Sequence, residues 1–174
     1  MEYGKIDYRV QDDVAIIRLN DPERLNATSM RMGEELLHAV ERCQGEARAL
    51  VLGAVGRAFC SGANLDMEDL GLEDPDRDAG EALELYFNPI ALALRDMSLP
   101  VVTAVRGAAA GVGCALALTG DIIVAGEKAF FLQAFRHVGL VPDGGSSYLL
   151  ARAVGRVRAM EMMLLGERLP SAKA

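Results

Sequence analysis

The sequence predicts an α/β fold, and three observations carry that prediction. Short apolar runs recur at Val14–Asn20, Ala49–Val55, Pro100–Val105 and Asp121–Gly126. Stretches with helical spacing of apolar residues alternate with them, as at Met32, Leu36, Leu37 and Val40. Turns rich in glycine and alanine follow two of the runs, at Ser61-Gly62-Ala63 and at Gly111-Val112-Gly113. Strands that alternate with helices place helices on the faces of a sheet.

In order along the chain, Ile6–Val10 and Val14–Asn20 predict a hairpin around Gln11-Asp12-Asp13. Asp21 and Pro22 break the second strand. Thr28 or Ser29 can cap a helix over Met30–Cys43. Ala49–Val55 reads as a buried strand, and Gly56–Leu65 as a loop of small residues. Glu68–Gly80 is acidic and turn-rich, which predicts a mobile surface segment. Glu81–Met97 is helical, with a break or kink near Asn88 because Pro89 supplies no N–H. PVVTAV, from Pro100, is a buried strand between proline and glycine. The small residues Ala108–Ala110 and the glycine turn follow it. CALALTG then predicts a short helix closed by Gly120, and DIIVAG another strand. Ala129–Ala134 is a short strand. Helices follow near Ser146–Ala153 and over Val157–Leu165, the second opened by Gly155 and Arg156. Pro170-Ser171 reads as a helix start with Ser171 as N-cap. Too few residues follow for a helix to hold itself, so the sequence predicts that the native product continues.

The 174 residues fit one domain, residues 1–174; being 51% hydrophobic, they can bury a sizeable core. A net charge of −7 argues against broad binding to nucleic acid or to an anionic membrane, while permitting a local basic patch for one phosphorylated ligand. Arg106, Asp121 and several glycines interrupt the longest apolar stretch, so it is a poor membrane span. Cys43, Cys60 and Cys114 have no paired spacing and point to a reduced, cytoplasmic protein. His38 lies on the polar flank of its helix and His137 beside Arg136. Both read as solvated, and no metal site follows from their spacing. Asp66, Glu68 and Asp69 read as a solvated acidic face. GAAAGVG lacks the order of a dinucleotide fingerprint, no P-loop occurs, and GGSS lacks the spacing of a serine hydrolase elbow.

The two glycine-containing loops either ease tight strand-to-helix turns or bring backbone donors together. If their strands are neighbours, the N–H groups of Ala63 and Val112 converge on one oxygen, as an oxyanion pocket requires. Asp143, in GLVPDGGSS, is either a turn and cap residue or a general acid/base. In an apolar pocket its pKa would rise, which helps a carboxyl both take and return a proton.

GRAFCSGANLDM, PVVTAVRGAAAGVGCALALTGDIIVAGEKAFF and GLVPDGGSSYLLARAVGRVRAMEMMLLGERL resemble the crotonase, or enoyl-CoA hydratase/isomerase, superfamily. ERLNA resembles its first coenzyme A segment, and the resemblance runs over nearly the whole chain. It implies a crotonase-like spiral of ββα units, with the C-terminal helices missing here. It also implies acyl-CoA substrates, with coenzyme A as part of the substrate and no separate cofactor, and homotrimers or hexamers. The family's oxyanion donors map onto the Ala63 and Val112 N–H groups, beside Gly111. Its coenzyme A contacts map onto Arg24, Leu25, Ala27, Ser61, Ala63, Asn64 and Leu65. Two glutamates of typical hydratases are replaced by Ala115 and Phe135, and an asparagine by Arg106. Adding water needs one group to activate the water and one to donate a proton. The surviving Asp143 matches the acid of P-D-G-G-type enoyl-CoA isomerases. The resemblance therefore implies double-bond isomerisation first. Hydration and non-catalytic acyl-CoA binding are the alternatives.

Overall fold

The computed structural model describes residues 1–64, 78, 80, 81 and 83–174. Leu65, Asp66, Glu68, Asp69 and most of the acidic segment expected to be mobile lie outside the described residues.

Strands β1 (Ile6–Gln11) and β2 (Val14–Leu19) form the expected antiparallel hairpin. Its loop is shorter than the sequence implies. Asp12 and Asp13 both take positive φ, at 51° and 62°, so two residues suffice for the reversal. Helix α1 (Met30–Cys43) starts where predicted, and of the two candidate caps Ser29 is used. Its Oγ accepts the Met32 N–H at 3.2 Å. The helix carries the chain across to β3 (Ala49–Ala54), which pairs parallel with β2. Met32, Leu36, Ala39, Val40 and Cys43 are buried in one core with Ile17, Leu19, Leu50 and Leu52. Each fully buried Leu, Ile or Met side chain contributes about 1.5–3 kcal/mol.

A π-helical turn (Leu83–Phe87) leads into α2 (Asn88–Arg95). The break falls at Asn88 as expected, because Pro89 sits in the first turn of α2, where its missing N–H costs nothing. Strand β4 (Val101–Val105) joins β3 in parallel. Ala108–Ala110, read only as small residues, form strand β5 of a second sheet. Helix α3 (Val112–Leu118) begins earlier than predicted, at the first residue after Gly111. It is not closed by Gly120: its C-cap is Thr119 in ordinary helical conformation. Gly120 is small for another reason. A Cβ there would lie 2.7 Å from Thr103 Oγ1.

Strands β6 (Ile122–Ala125) and β7 (Phe130–Leu132) repeat the pattern, one strand in each sheet. The large sheet runs β1-β2-β3-β4-β6 and the small one β5-β7-β8. Thus β4-β5-α3 and β6-β7-α4 are successive ββα units, the crotonase-like spiral. Helices α4 (Ser146–Val154) and α5 (Arg156–Leu165) follow. Strand β8 (Leu169–Pro170) pairs antiparallel with β7. Ser171 does not cap a helix. Its Oγ donates to the Glu127 carbonyl at 3.1 Å and its N–H to the Ala129 carbonyl at 2.9 Å. The three cysteines are buried and free. No described helix is long and apolar enough to cross a membrane.

Candidate active site

Three segments far apart in sequence meet at the small sheet. The first is Pro22–Thr28. A 3-10 turn over Pro22–Arg24 ends with Leu25 and Asn26, both at φ 55°. Asn tolerates this left-handed region better than most residues. Asn26 is fully buried and its side-chain polar atoms are all engaged. Its Oδ1 accepts the Asp21 N–H at 2.8 Å, and its Nδ2 donates to the Val55 and Ala58 carbonyls, each at 2.9 Å. Asn26 therefore ties the ERLNA segment to the loop after β3. It was missing from the expected contacts, although it stands inside the motif.

The second segment, Cys60–Asn64, is held on both flanks. On one, Ser61 N–H donates to the Leu25 carbonyl at 3.1 Å, and Ser61 Oγ to the exposed Arg24's carbonyl at 3.4 Å. Thr28 N–H donates to the Gly62 carbonyl at 2.8 Å, and Asn64 N–H to the Thr28 carbonyl at 2.9 Å. On the other flank, the Cys60 N–H donates to the Ala108 carbonyl, and the Cys60 carbonyl accepts the Ala110 N–H. Bonding of Thr28 to residues 62 and 64 turns the Ala63 N–H away from it, toward residues 108–111. Arg24, Leu25, Ala27, Ser61, Ala63 and Asn64 thus lie on two hydrogen-bonded segments. Leu65 is outside the described residues.

The third segment is the turn into α3. Gly111 has φ 53° and ψ −126°, a conformation that side chains oppose. A Cβ on Gly111 would lie 3.8 Å from Gly62 Cα, and one on Gly113 would lie 2.5 Å from the Cys60 carbonyl oxygen. The two loops therefore interlock by backbone contact. The first amides of a helix have no acceptor within it. Among the described residues neither Val112 N–H nor Ala63 N–H has an acceptor at all. Two unengaged amides on touching loops are what an oxyanion site needs.

Asp143 reaches this place through a β-turn. Gly144 and Gly145 have φ 54° and 84°, and Ser146 N–H donates to the Asp143 carbonyl at 2.8 Å. The turn reading is right, but the Asp143 side chain caps no helix. A Cβ on Gly144 would lie 3.5 Å from Val112 Cγ2 and 3.8 Å from Ala115 Cβ. The aspartate is thereby set beside the α3 N-terminus. Its Oδ1 is buried with no partner, and burial pushes its carboxyl above the usual carboxylate range. Its own backbone N–H offsets only part of this.

The neighbouring surfaces are apolar. Ala115 is buried, and the Phe135 ring reaches within 3.9 Å of the position of a Gly111 Cβ. A cavity of about 280 Å³ opens beside Gly145, between Ala91 and Leu92 of α2 and Tyr148 and Leu149 of α4. Another, of about 310 Å³ among Cys114, Phe131 and Leu150, touches none of Ala63, Val112 and Asp143. Arg106 is exposed and donates from Nη1 to the Gly56 carbonyl at 3.2 Å. His137 is exposed as expected. His38 is not solvated as expected. It is half-buried, and its Nδ1 lies 2.8 Å from Tyr3 Oη. Among the described residues no three His, Cys, Asp or Glu side chains group to hold a metal.

The family model for enoyl-CoA hydratase/isomerase matches residues 9–174. The chain belongs to the enoyl-CoA hydratase/isomerase family. It is 42% identical over its whole length to a Rhodobacter capsulatus protein named "Probable enoyl-CoA hydratase", covering 66% of that protein. It is 39% identical, over 95% of its length, to the 1,2-epoxyphenylacetyl-CoA isomerase of Escherichia coli K12, covering 64% of it. The crystal structure of an enoyl-CoA hydratase from Mycobacterium avium subsp. paratuberculosis superposes on the whole chain with a TM-score of 0.87 at 39% identity, over 68% of that structure. The chain thus spans slightly less than two thirds of the length of the two sequence relatives.

Proposed function

We propose that this chain carries the catalytic core of an enoyl-CoA isomerase. The Ala63 and Val112 N–H groups hold the thioester oxygen as it becomes an enolate. Asp143 removes a proton from one carbon of the acyl chain and returns it to another. The electrons of the broken C–H bond enter the enolate, and the double bond forms one position along when the proton returns. One carboxyl suffices because nothing is added from solvent. Arg24, Leu25, Ala27, Ser61, Ala63 and Asn64 cradle the coenzyme A part, with Leu65 continuing it. A homotrimer or hexamer, a cytoplasmic location and the lack of a separate cofactor belong to the same proposal.

One observation carries this reading. Gly144, next to Asp143, packs against Val112 and Ala115 of α3, and burial favours the neutral form of the Asp143 carboxyl. Ala115 and Phe135 occupy the places where typical hydratases resemble one another in carrying glutamates. A relative at 39% identity is named an isomerase of a coenzyme A thioester, although of an epoxide rather than an alkene.

The Asp143→Ala variant tests it. Exchange of the α-protons of 3-butenoyl-CoA with deuterated water, and its conversion to crotonyl-CoA, should fall by about 10²–10⁴-fold. Binding of crotonyl-CoA should persist. Unchanged turnover would refute the role. Hydration remains the second reading, favoured by the hydratase name of the Rhodobacter relative. Rapid addition of water to crotonyl-CoA would select it over isomerisation.

A further inference from the structure

Helix α2 is apolar on two faces, and the core uses one of them. Ile90 and Leu94 are buried there. Asn88, Ala91, Leu92 and Arg95, at spacings of three and four, share another face, on which Leu92 is 48% exposed. Gly145, Tyr148 and Leu149 at the start of α4 stand across from them, with the cavity of about 280 Å³ between. The rise of α2 from Asn88 to Arg95 makes this groove about 10 Å long. The cations near it are already engaged. Arg95 pairs with Asp96 at 2.7 Å, and the Arg152 guanidinium lies 5.2 Å from the centre of the Tyr148 ring. The surface left uncovered is that of Ala91, Leu92, Leu149 and the Tyr148 ring, and it is apolar.

A run of contacts ties this groove to the site. Thr28, in the proposed coenzyme A segment, forms a β-bridge with Ala63. A Cβ on Gly62 would lie 4.0 Å from Gly111 Cα, which joins the two oxyanion loops. A Cβ on Gly144 would lie 3.5 Å from Val112 Cγ2, which joins them to the Asp143 turn. One on Gly145, the next residue, would lie 3.6 Å from Leu149 Cδ1 and 3.9 Å from Ala91 Cβ, inside the groove. The order is coenzyme segment, oxyanion loops, Asp143 turn, groove. A thioester held by the Ala63 and Val112 amides has its coenzyme at the first end of that order. Its acyl chain runs past Asp143 toward the other. The larger cavity, of about 310 Å³ beside Cys114, lies off this line.

We propose that the groove between α2 and α4 is the subsite for the distal part of an apolar, unbranched acyl tail, the carbons beyond those between which Asp143 moves the proton. This assignment rests on the reading of Asp143 and the two amides as the reaction centre. A cavity of about 150 Å³ holds benzene, so the groove has room for several carbons more than a four-carbon acyl group supplies. A tail seated there covers Leu92 and the Tyr148 ring, which are otherwise exposed to water.

The test compares chain lengths in the full chain, by turnover and by binding. In the parent, kcat/KM for 3-octenoyl-CoA should exceed that for 3-butenoyl-CoA by about 10–10²-fold, since each buried methylene contributes up to about fourfold. Octanoyl-CoA should bind more tightly than butyryl-CoA in calorimetry, where no turnover is needed. Ala91→Phe fills the groove. Leu92→Glu places a carboxylate in it from an exposed position, where the fold is not at risk. Each should cut the advantage of the longer chain to within about threefold, chiefly through KM. Ala153→Phe, at an exposed residue lining the other cavity, should retain the advantage. No advantage of the longer chain in the parent, or one undiminished in both groove variants, overturns the proposal. An advantage lost only in Ala153→Phe overturns it too, by placing the tail in the other cavity. If no 3-enoyl-CoA is isomerised but octanoyl-CoA still binds more tightly, and Ala91→Phe or Leu92→Glu removes that difference, the isomerase reading falls and the groove stands.

Discussion

The α1 side of the molecule and the turn before α4 each bury a carboxylate, and they treat it in opposite ways. Glu35 of α1 is almost wholly buried, yet its Oε2 accepts the Gly4 and Lys5 N–H groups at 2.9 and 2.6 Å. Its Oε1 takes the Arg31 guanidinium at 2.8 Å. Burial alone would raise its pKa, but these donors outweigh burial and hold it below the usual range. Asp143 has burial without the donors, and moves the other way. Asn26 and Glu35 show that this chain can satisfy buried polar groups. Among the described residues the amides of Ala63 and Val112 and the Asp143 carboxyl are left unengaged. Polar groups left without partners are groups available to a ligand.

That contrast predicts which losses damage function and which damage stability. The largest effect is expected at Val112→Pro. Val112 is the first residue of α3, a position where proline fits a helix. The substitution deletes one proposed oxyanion donor and also changes the buried Val112 side chain that packs in the core beside Gly144. Isomerisation should slow by about 10²–10³-fold, close to 3–4 kcal/mol of transition-state stabilisation. Crotonyl-CoA binding should persist, and the lost packing of buried Val112 should lower the melting temperature while leaving the variant folded at 25 °C. A variant that keeps full turnover would show that the amide is idle and would erase the distinction between the two regions.

The two carboxylates make the contrast testable by pH. Glu35 has a depressed folded pKa, so its stabilisation is present above its unfolded value of about 4.3. It is lost as pH falls through the lower folded value. Glu35→Ala should cost about 2–4 kcal/mol at neutral pH, since it orphans two backbone amides. That deficit should shrink in acid. Asp143 has a raised folded pKa, so its ionisation opposes folding above that value, and the opposition vanishes below its unfolded value. Asp143→Ala should therefore be as stable as the parent or more so at neutral pH, and gain nothing in acid. Urea denaturation across the acid range gives both differences. Parallel rather than opposed curves would refute the contrast.

Much of the scaffold was legible because local chemistry and tertiary context agree in it. The α1 period, the Ser29 cap and the apolar runs of β2, β3 and β4 each name their own element. Residues 108–110 and 169–170 were not read as strands, because alanines and a Leu-Pro pair have weak strand preference. They become strands only because the small sheet pairs them. Burial was also not readable from apolarity alone. The β6 run is as apolar as β4, yet at the sheet edge its Ile122, Ile123 and Val124 are exposed. At the site, the glycine loops and Asp143 stood out by residue type. Asn26 did not. Its signal is the presence of partners from distant segments, which no spacing along the chain encodes.

The smallest expected effect lies at the best-satisfied end of the comparison. Ser29 Oγ accepts one of the first N–H groups of α1, that of Met32. Ser29→Ala leaves that amide to solvent and should cost about 1 kcal/mol. For a chain of this length that is a fall of roughly 2–4 °C in melting temperature. Thr28, the neighbouring residue, bonds the Gly62 carbonyl through both its N–H, at 2.8 Å, and its Oγ1, at 3.2 Å. The cap is therefore one residue from the segment that holds Ala63. If the two regions are energetically separate, Ser29→Ala lowers the melting temperature and leaves 3-butenoyl-CoA turnover unchanged at 25 °C. A parallel loss of turnover in the still-folded variant would mean that the start of α1 also sets the Ala63 amide, and the boundary between scaffold and site would move to Thr28.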